Sequence, residues 1–150
     1  MPSPIRMQDE LWLYYFGFNR NHAFQLDPAT TPDAKSTVIT RAVMRVDGFV
    51  SADFDYSGGT VLTPAIRFEG SRLELNLDTG AGGVGRVEIV EADGGPVEGF
   101  TVREADQLNA NNVRAVVTWR GKSDVSKLAG RAVRLRFHMR SAKLYAFQFR

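Results

Sequence analysis

The chain has 150 residues, 43% of them hydrophobic and 24% charged, values that suit one globular domain with its own core. It has no cysteine, which excludes a disulfide scaffold and every thiolate metal site. From Arg114 onward ten Lys/Arg face one acid, Asp124, while residues 1–113 carry nine bases and sixteen acids; the simplest use of that asymmetry is pairing across a sheet.

The opening "MPSPIRMQDELWLYYFGF" holds an apolar run too short and too aromatic for a secretion signal, and too short to span a membrane. No membrane association is expected, and the compartment stays open. In "ELWLYYFGF", Leu11, Leu13 and Tyr15 fall on one face and Trp12, Tyr14, Phe16 and Phe18 on the other. A strand apolar on both faces is normally covered on both. A long polar loop follows, "NRNHAFQLDPATTPDAKS", with His22, Pro28 and Pro32.

From there period-2 patterns recur, and no stretch keeps a clean helical period. "TVITRAVMRV", "GFVSADF" and "TVLTPAIRF" are strand candidates. "RLELNLD" sets Leu73, Leu75 and Leu77 against an outward Arg72, Glu74 and Asn76, and "GRVEIVE" sets Val87 and Ile89 against Glu88. "RAVVTW", "AVRLRFHM" and "KLYAFQF" complete the set, the last grouping Tyr145, Phe147 and Phe149. Turn chemistry separates them, most clearly at Asp93-Gly94-Gly95. Helix is confined to single turns near "READQL" and "SDVSKLAG", the latter with Ser123 or Asp124 at its start and Gly130 at its end. The fold expected is all-β, an antiparallel β-sandwich or jelly roll of about nine strands with very little helix. Residues 1–46 and 47–150 differ in character, and together they are expected to form one compact unit.

Few motifs carry chemistry. Gly80, Gly82 and Gly85 of "GAGGVG" match the dinucleotide fingerprint, but the fingerprint requires a helix next and here a strand pattern follows. "DFDYSG" places Asp53, Asp55, Ser57 and Gly58 at the opening spacings of a calcium loop, yet Pro64 stands where the bidentate Glu belongs. A polar turn is the simpler reading, with a non-standard calcium site at Asp53 and Asp55 as the metal alternative. The two histidines, His22 and His138, lie too far apart in sequence for a zinc motif, and no nucleophile-base-acid set is apparent. Autonomous catalysis is not expected, and no catalytic residue is assigned.

Aromatic rings stack on sugars, and Trp119, Tyr56, Trp12 and Tyr14 are the candidates for binding a polysaccharide. Trp119 also shares the inward parity of Ala115 and Val117, which favours a core role for it. Arg134, Arg136, His138 and Arg140 alternate with Val133, Leu135, Phe137 and Met139, as the wet face of a strand requires. Glu74 and Glu88 on neighbouring strands are the expected neutralising partners. Nucleic acid is not the expected partner, since no aromatic residues interleave with these bases.

"VDGFVSAD", "GGTVLTPAIRFEGSRLELNLDT", "RVEIVEADGGPVEGF", "WRGKSDVSKLAG" and "VRLRFHMRSAKLYAFQF" together resemble the C-terminal β-sandwich of bacterial glycoside-hydrolase-like proteins. There it follows a five-bladed β-propeller, as in invertase- and inulinase-type enzymes. The resemblance covers about residues 47–149, and "DELWLYYFGF" and "TVITRAVMRVDGF" resemble strands of the last propeller blade. It implies a non-catalytic accessory domain without its propeller, exported relatives, and apolar N-terminal strands to be covered by the sandwich's own sheets or by a homodimer.

Overall fold

The computed structural model describes residues 3–18 and 37–150; His22, Pro28 and Pro32 lie outside the described residues. The chain divides into two compact units, Met1–Val46 and Asp47–Arg150.

In the first unit, β1 (Ile5–Met7), β2 (Glu10–Phe18) and β3 (Thr37–Arg45) form an antiparallel sheet in the order β1-β2-β3. Aromatic and β-branched side chains favour this pleated surface. Gln8, with φ 57°, turns β1 into β2. Because Trp12 pairs with Ile5 and Val43, and Phe16 with Ile39, the register gathers apolar side chains on one face. Phe16 is 63% exposed and Ile39 71%.

The second unit is an all-β, sandwich-like arrangement of two antiparallel sheets. Its strands are β4 (Ala52–Phe54), β5 (Gly59–Leu62), β6 (Leu73–Asp78), β7 (Val84–Glu91), β8 (Asn111–Val116), β9 (Val133–Arg140) and β10 (Ala142–Phe149). One sheet runs β4-β10-β6-β8 and the other β5-β9-β7. Alternation explains the core: Leu73, Leu75 and Leu77 of β6 join Val87 and Ile89 of β7 and Val133, Leu135, Phe137 and Met139 of β9 in one cluster. Each fully buried Leu, Ile or Phe contributes about 1.5–3 kcal/mol relative to exposure.

Three two-strand ribbons, β4–β5, β9–β10 and β6–β7, each pass from one sheet to the other, with β9–β10 in the middle. β9 and β10 are separated by Ser141 alone, which takes φ 47°. Its N–H donates to the Asp55 carbonyl at 2.7 Å, tying the outer ribbon to the central one.

Several local expectations change. β10 carries a bulge between Leu144 and Ala146, which re-aims its side chains: Leu144 is buried, and beyond the bulge Phe147 and Phe149 approach Phe137 and Phe68. Glu74 and Asn76, assigned to a wet face, are buried. Glu74 accepts from Arg72 at 2.7 Å and faces Arg150 at 3.4 Å. "READQL" forms a turn instead of a helix, with Glu104 reaching back to the N–H and hydroxyl of Thr101. The other helical turn is a short 3-10 segment, Ser126–Leu128, preceded by Asp124, which accepts from the Ser126 N–H at 2.8 Å. The glycine-rich "GAGGVG" leads directly into β7, so no helix N-terminus faces a phosphate site there.

Candidate functional site

Where the three ribbons cross between sheets, their turns surround an open depression of about 740 Å³. β4 and the following turn supply Asp53, Phe54, Asp55 and Ser57, the end of β6 and the residue after it supply Asp78 and Thr79, and the β9–β10 junction and the start of β10 supply Ser141 and Lys143. Strand register sets the charges. Lys143 is directly opposite Asp53 on one side and Asp78 on the other, so all three side chains share one face of the sheet. Lys143 donates to Asp53 at 2.6 Å.

The electrostatics follow from these contacts. The hydrogen bond to Asp53 holds the Lys143 ammonium above its usual range, assisted by the charges of Asp53 and Asp78. Asp53 is held below the usual carboxylate range by its hydrogen bonds from Lys143 and Ser51. Asp55 is likewise lowered, by the Ser57 hydroxyl and backbone N–H. Asp78 accepts from the Gly80 N–H at 2.8 Å. The depression therefore offers fixed carboxylate acceptors, one ammonium and nearby hydroxyls, a set suited to the hydroxyl groups of a polar ligand.

Asp53 and Asp55 do line one cavity, but Asp53 already binds an ammonium, and a calcium ion there would have to displace it. Among the described residues, no three His, Cys, Asp or Glu side chains are grouped to hold a metal ion.

The four aromatic candidates do not converge. Trp119 is 3% exposed, donates its indole N–H to the Val87 carbonyl at 2.9 Å and meets Phe100 edge-on. It is a core residue, and burial excludes it as a sugar platform. Trp12 and Tyr14 belong to the first unit; the Trp12 ring is faced by the Arg41 guanidinium at 3.8 Å, and its N–H donates to Glu10 at 2.7 Å. Tyr56 is 79% exposed, between Asp55 and Ser57 of the depression, with the Arg140 guanidinium 5.4 Å from its ring centre. Sequence reasoning missed Asp78, Thr79, Ser141 and Lys143 because only the pairing of β10 with β4 and β6 brings them to Asp53.

His138 occupies a hydrogen-bonded chain on the outward face of the β5-β9-β7 sheet. Its Nδ1 lies 3.3 Å from the Thr60 hydroxyl and its Nε2 3.0 Å from Glu88 Oε1. That order echoes a nucleophile, base and acid, but Glu88 Oε1 also accepts from Arg136 at 2.7 Å. The carboxylate is thus a bridge between two cationic side chains, and the contact to Thr60 is long for a hydroxyl hydrogen bond. Burial presses the Glu88 carboxyl upward, and the hydrogen bonds and charges of His138 and Arg136 more than offset it, leaving it below its ordinary value.

No family model matches the chain, and neither a curated protein nor a solved structure matches it.

Proposed function

We propose that the chain is a non-catalytic accessory β-sandwich of the kind that accompanies glycoside-hydrolase-like proteins. In this reading the first unit offers its sheet to a second copy of the chain. The observation that supports it is the exposure of Phe16 at 63% and Ile39 at 71% within one register-aligned face. β3 is also an edge strand, and long apolar edges invite pairing. Sedimentation over a wide concentration range tests it. A dimer that Phe16→Lys or Ile39→Lys returns to monomer is the expected result. A monomer at every concentration would remove the dimeric form of the reading.

A second reading is supported by a separate observation, the exposed Tyr56 ring beside a depression rich in carboxylates and hydroxyls. In it the second unit binds carbohydrate, with Tyr56 stacking on a sugar ring. Titration calorimetry against a panel of soluble polysaccharides, repeated with Tyr56→Ala, decides it. Saturable binding lost in the variant supports the module; binding indifferent to Tyr56 counts against this site.

A further inference from the structure

We infer that the outward face of the β5-β9-β7 sheet, continuing to Tyr56, is a binding surface for a linear acidic polysaccharide. This rests on the carbohydrate-binding reading and names the class of sugar.

On that face the register aligns Thr60 with His138 and Arg86, Leu62 with Arg136 and Glu88, Val90 with Arg134, and Val84 with Arg140. Glu88 is the one acid at these positions, and it is committed to Arg136 and His138. Glu74, the other acid expected to neutralise the arginines, lies in the opposite sheet with Arg72 and Arg150. Among the described residues the remaining arginines on this face make no ion pair. Arg134 donates to the Thr63 carbonyl at 3.0 Å, Arg86 to the Ala105 carbonyl at 3.2 Å within the field of Asp106, and Arg140 faces the Tyr56 ring. The cationic excess on this face is therefore not cancelled within the second unit.

The spacing suits an extended polyanion. Alternate residues of a strand recur at about 6.8 Å, so the row from Arg134 to Arg140 spans about 20 Å. Guanidinium forks match carboxylate and sulfate oxygens in pairs. Between a nucleic acid and an acidic glycan, the face favours the glycan. A single strand needs a series of aromatic platforms for its bases, and the accessible register positions hold Thr60, Leu62 and Val84, with Val90 buried, but no aromatic ring. One ring, Tyr56, stands at the end of the row, with the Arg140 guanidinium 5.4 Å from its centre.

Calorimetry on the full chain with polygalacturonate, heparin, a neutral β-glucan and oligodeoxythymidine tests the assignment. The expected result is saturable, salt-weakened binding of polygalacturonate or heparin. Arg134→Gln and Arg140→Gln should each weaken it roughly tenfold, the size of one lost charge-assisted contact. Arg114→Gln, which removes an exposed charge from β8 in the opposite sheet, should leave it unchanged, with thermal melts verifying that all three variants fold. Neutral glucan binding that depends on Tyr56 but not on the arginines would overturn the acidic specificity and keep the carbohydrate reading. Tighter binding of oligodeoxythymidine through Arg134 and Arg140 would overturn it in favour of nucleic acid. Equal weakening by Arg114→Gln would reduce it to diffuse charge, and no binding to any probe would remove both readings.

Discussion

Lys143 and Asp53, ninety residues apart in sequence, meet at 2.6 Å in the depression where the ribbons cross. The contact decides how the site treats cations. A bound calcium needs several unencumbered oxygens, and one of the two aspartates placed at calcium-loop spacing is already paired with an ammonium. Calcium is therefore expected to leave the melting temperature unchanged, with or without a chelator. The check is a thermal melt of the full chain in each condition. A rise of several degrees, equivalent to about 1 kcal/mol or more for a protein of this size, would show that the ion displaces Lys143.

Trp119 tests the core directly. Replacing it with Ala removes a ring packed on Phe100 and leaves the Val87 carbonyl without its indole donor. The expected cost is about 3–5 kcal/mol, read as a lower denaturant midpoint. Trp119→Phe keeps most of the packing and should lose about 1–3 kcal/mol through the unmet carbonyl and the smaller ring. Acrylamide should quench Trp119 poorly in the folded protein, measured in a Trp12→Phe background that isolates its emission.

The sequence made the strands and the inward residues of the sandwich legible because one face of each sheet is dry. Val133, Leu135, Phe137 and Met139 alternate without a break, and Trp119 carries the parity of Ala115 and Val117 into the core. Features that depend on pairing across long sequence separations were not legible. The bulge between Leu144 and Ala146 shifts parity within β10, so Leu144 and Phe149 both pack with the core despite opposite positions in the alternation. Glu74 looks outward by pattern, yet β6 lies between β10 and β8 and its second face is covered. The candidate site belongs to the same class. Asp53 and Tyr56 could be nominated from local chemistry, but Lys143 and Asp78 join them only through register.

Glu88 gives a pH dependence with a definite sign. The residue is buried, 7% exposed, and although burial pushes its carboxyl upward, His138 and Arg136 hold it below the ordinary 4.5. A depressed folded value means that the stabilisation is fully present above 4.5 and is lost as pH falls through the lower folded value. The melting temperature should hold from neutral pH to about 5 and then drop. Glu88→Gln should cost about 1–3 kcal/mol at neutral pH, because a partly buried guanidinium loses its counter-charge, and its acid drop should be shallower. Parallel acid curves for variant and parent would mean that other lowered carboxylates, Asp106 and Glu104 among them, carry the dependence.

The crossing point itself can be tested at two neighbouring glycines. A β-carbon added at Gly83 would fall on the carbonyl oxygens of Ser141, Thr79 and Arg140, all of them backbone atoms that no side-chain rotation can move away. At Gly82 the same carbon meets nothing within 4 Å. Gly83→Ala is therefore expected to destabilise by about 2–4 kcal/mol, since the β6–β7 turn must move off the central ribbon. Gly82→Ala should be near neutral, or stabilising by up to about 1 kcal/mol through the less flexible unfolded chain. Chemical denaturation of the two variants side by side makes the comparison. Because the Gly83 turn also positions Asp78 and Thr79, any ligand of the depression should bind Gly83→Ala more weakly and Gly82→Ala as before. Equal stability of the two variants would mean that the three turns do not close on one another at this corner, and the depression would lose its walls.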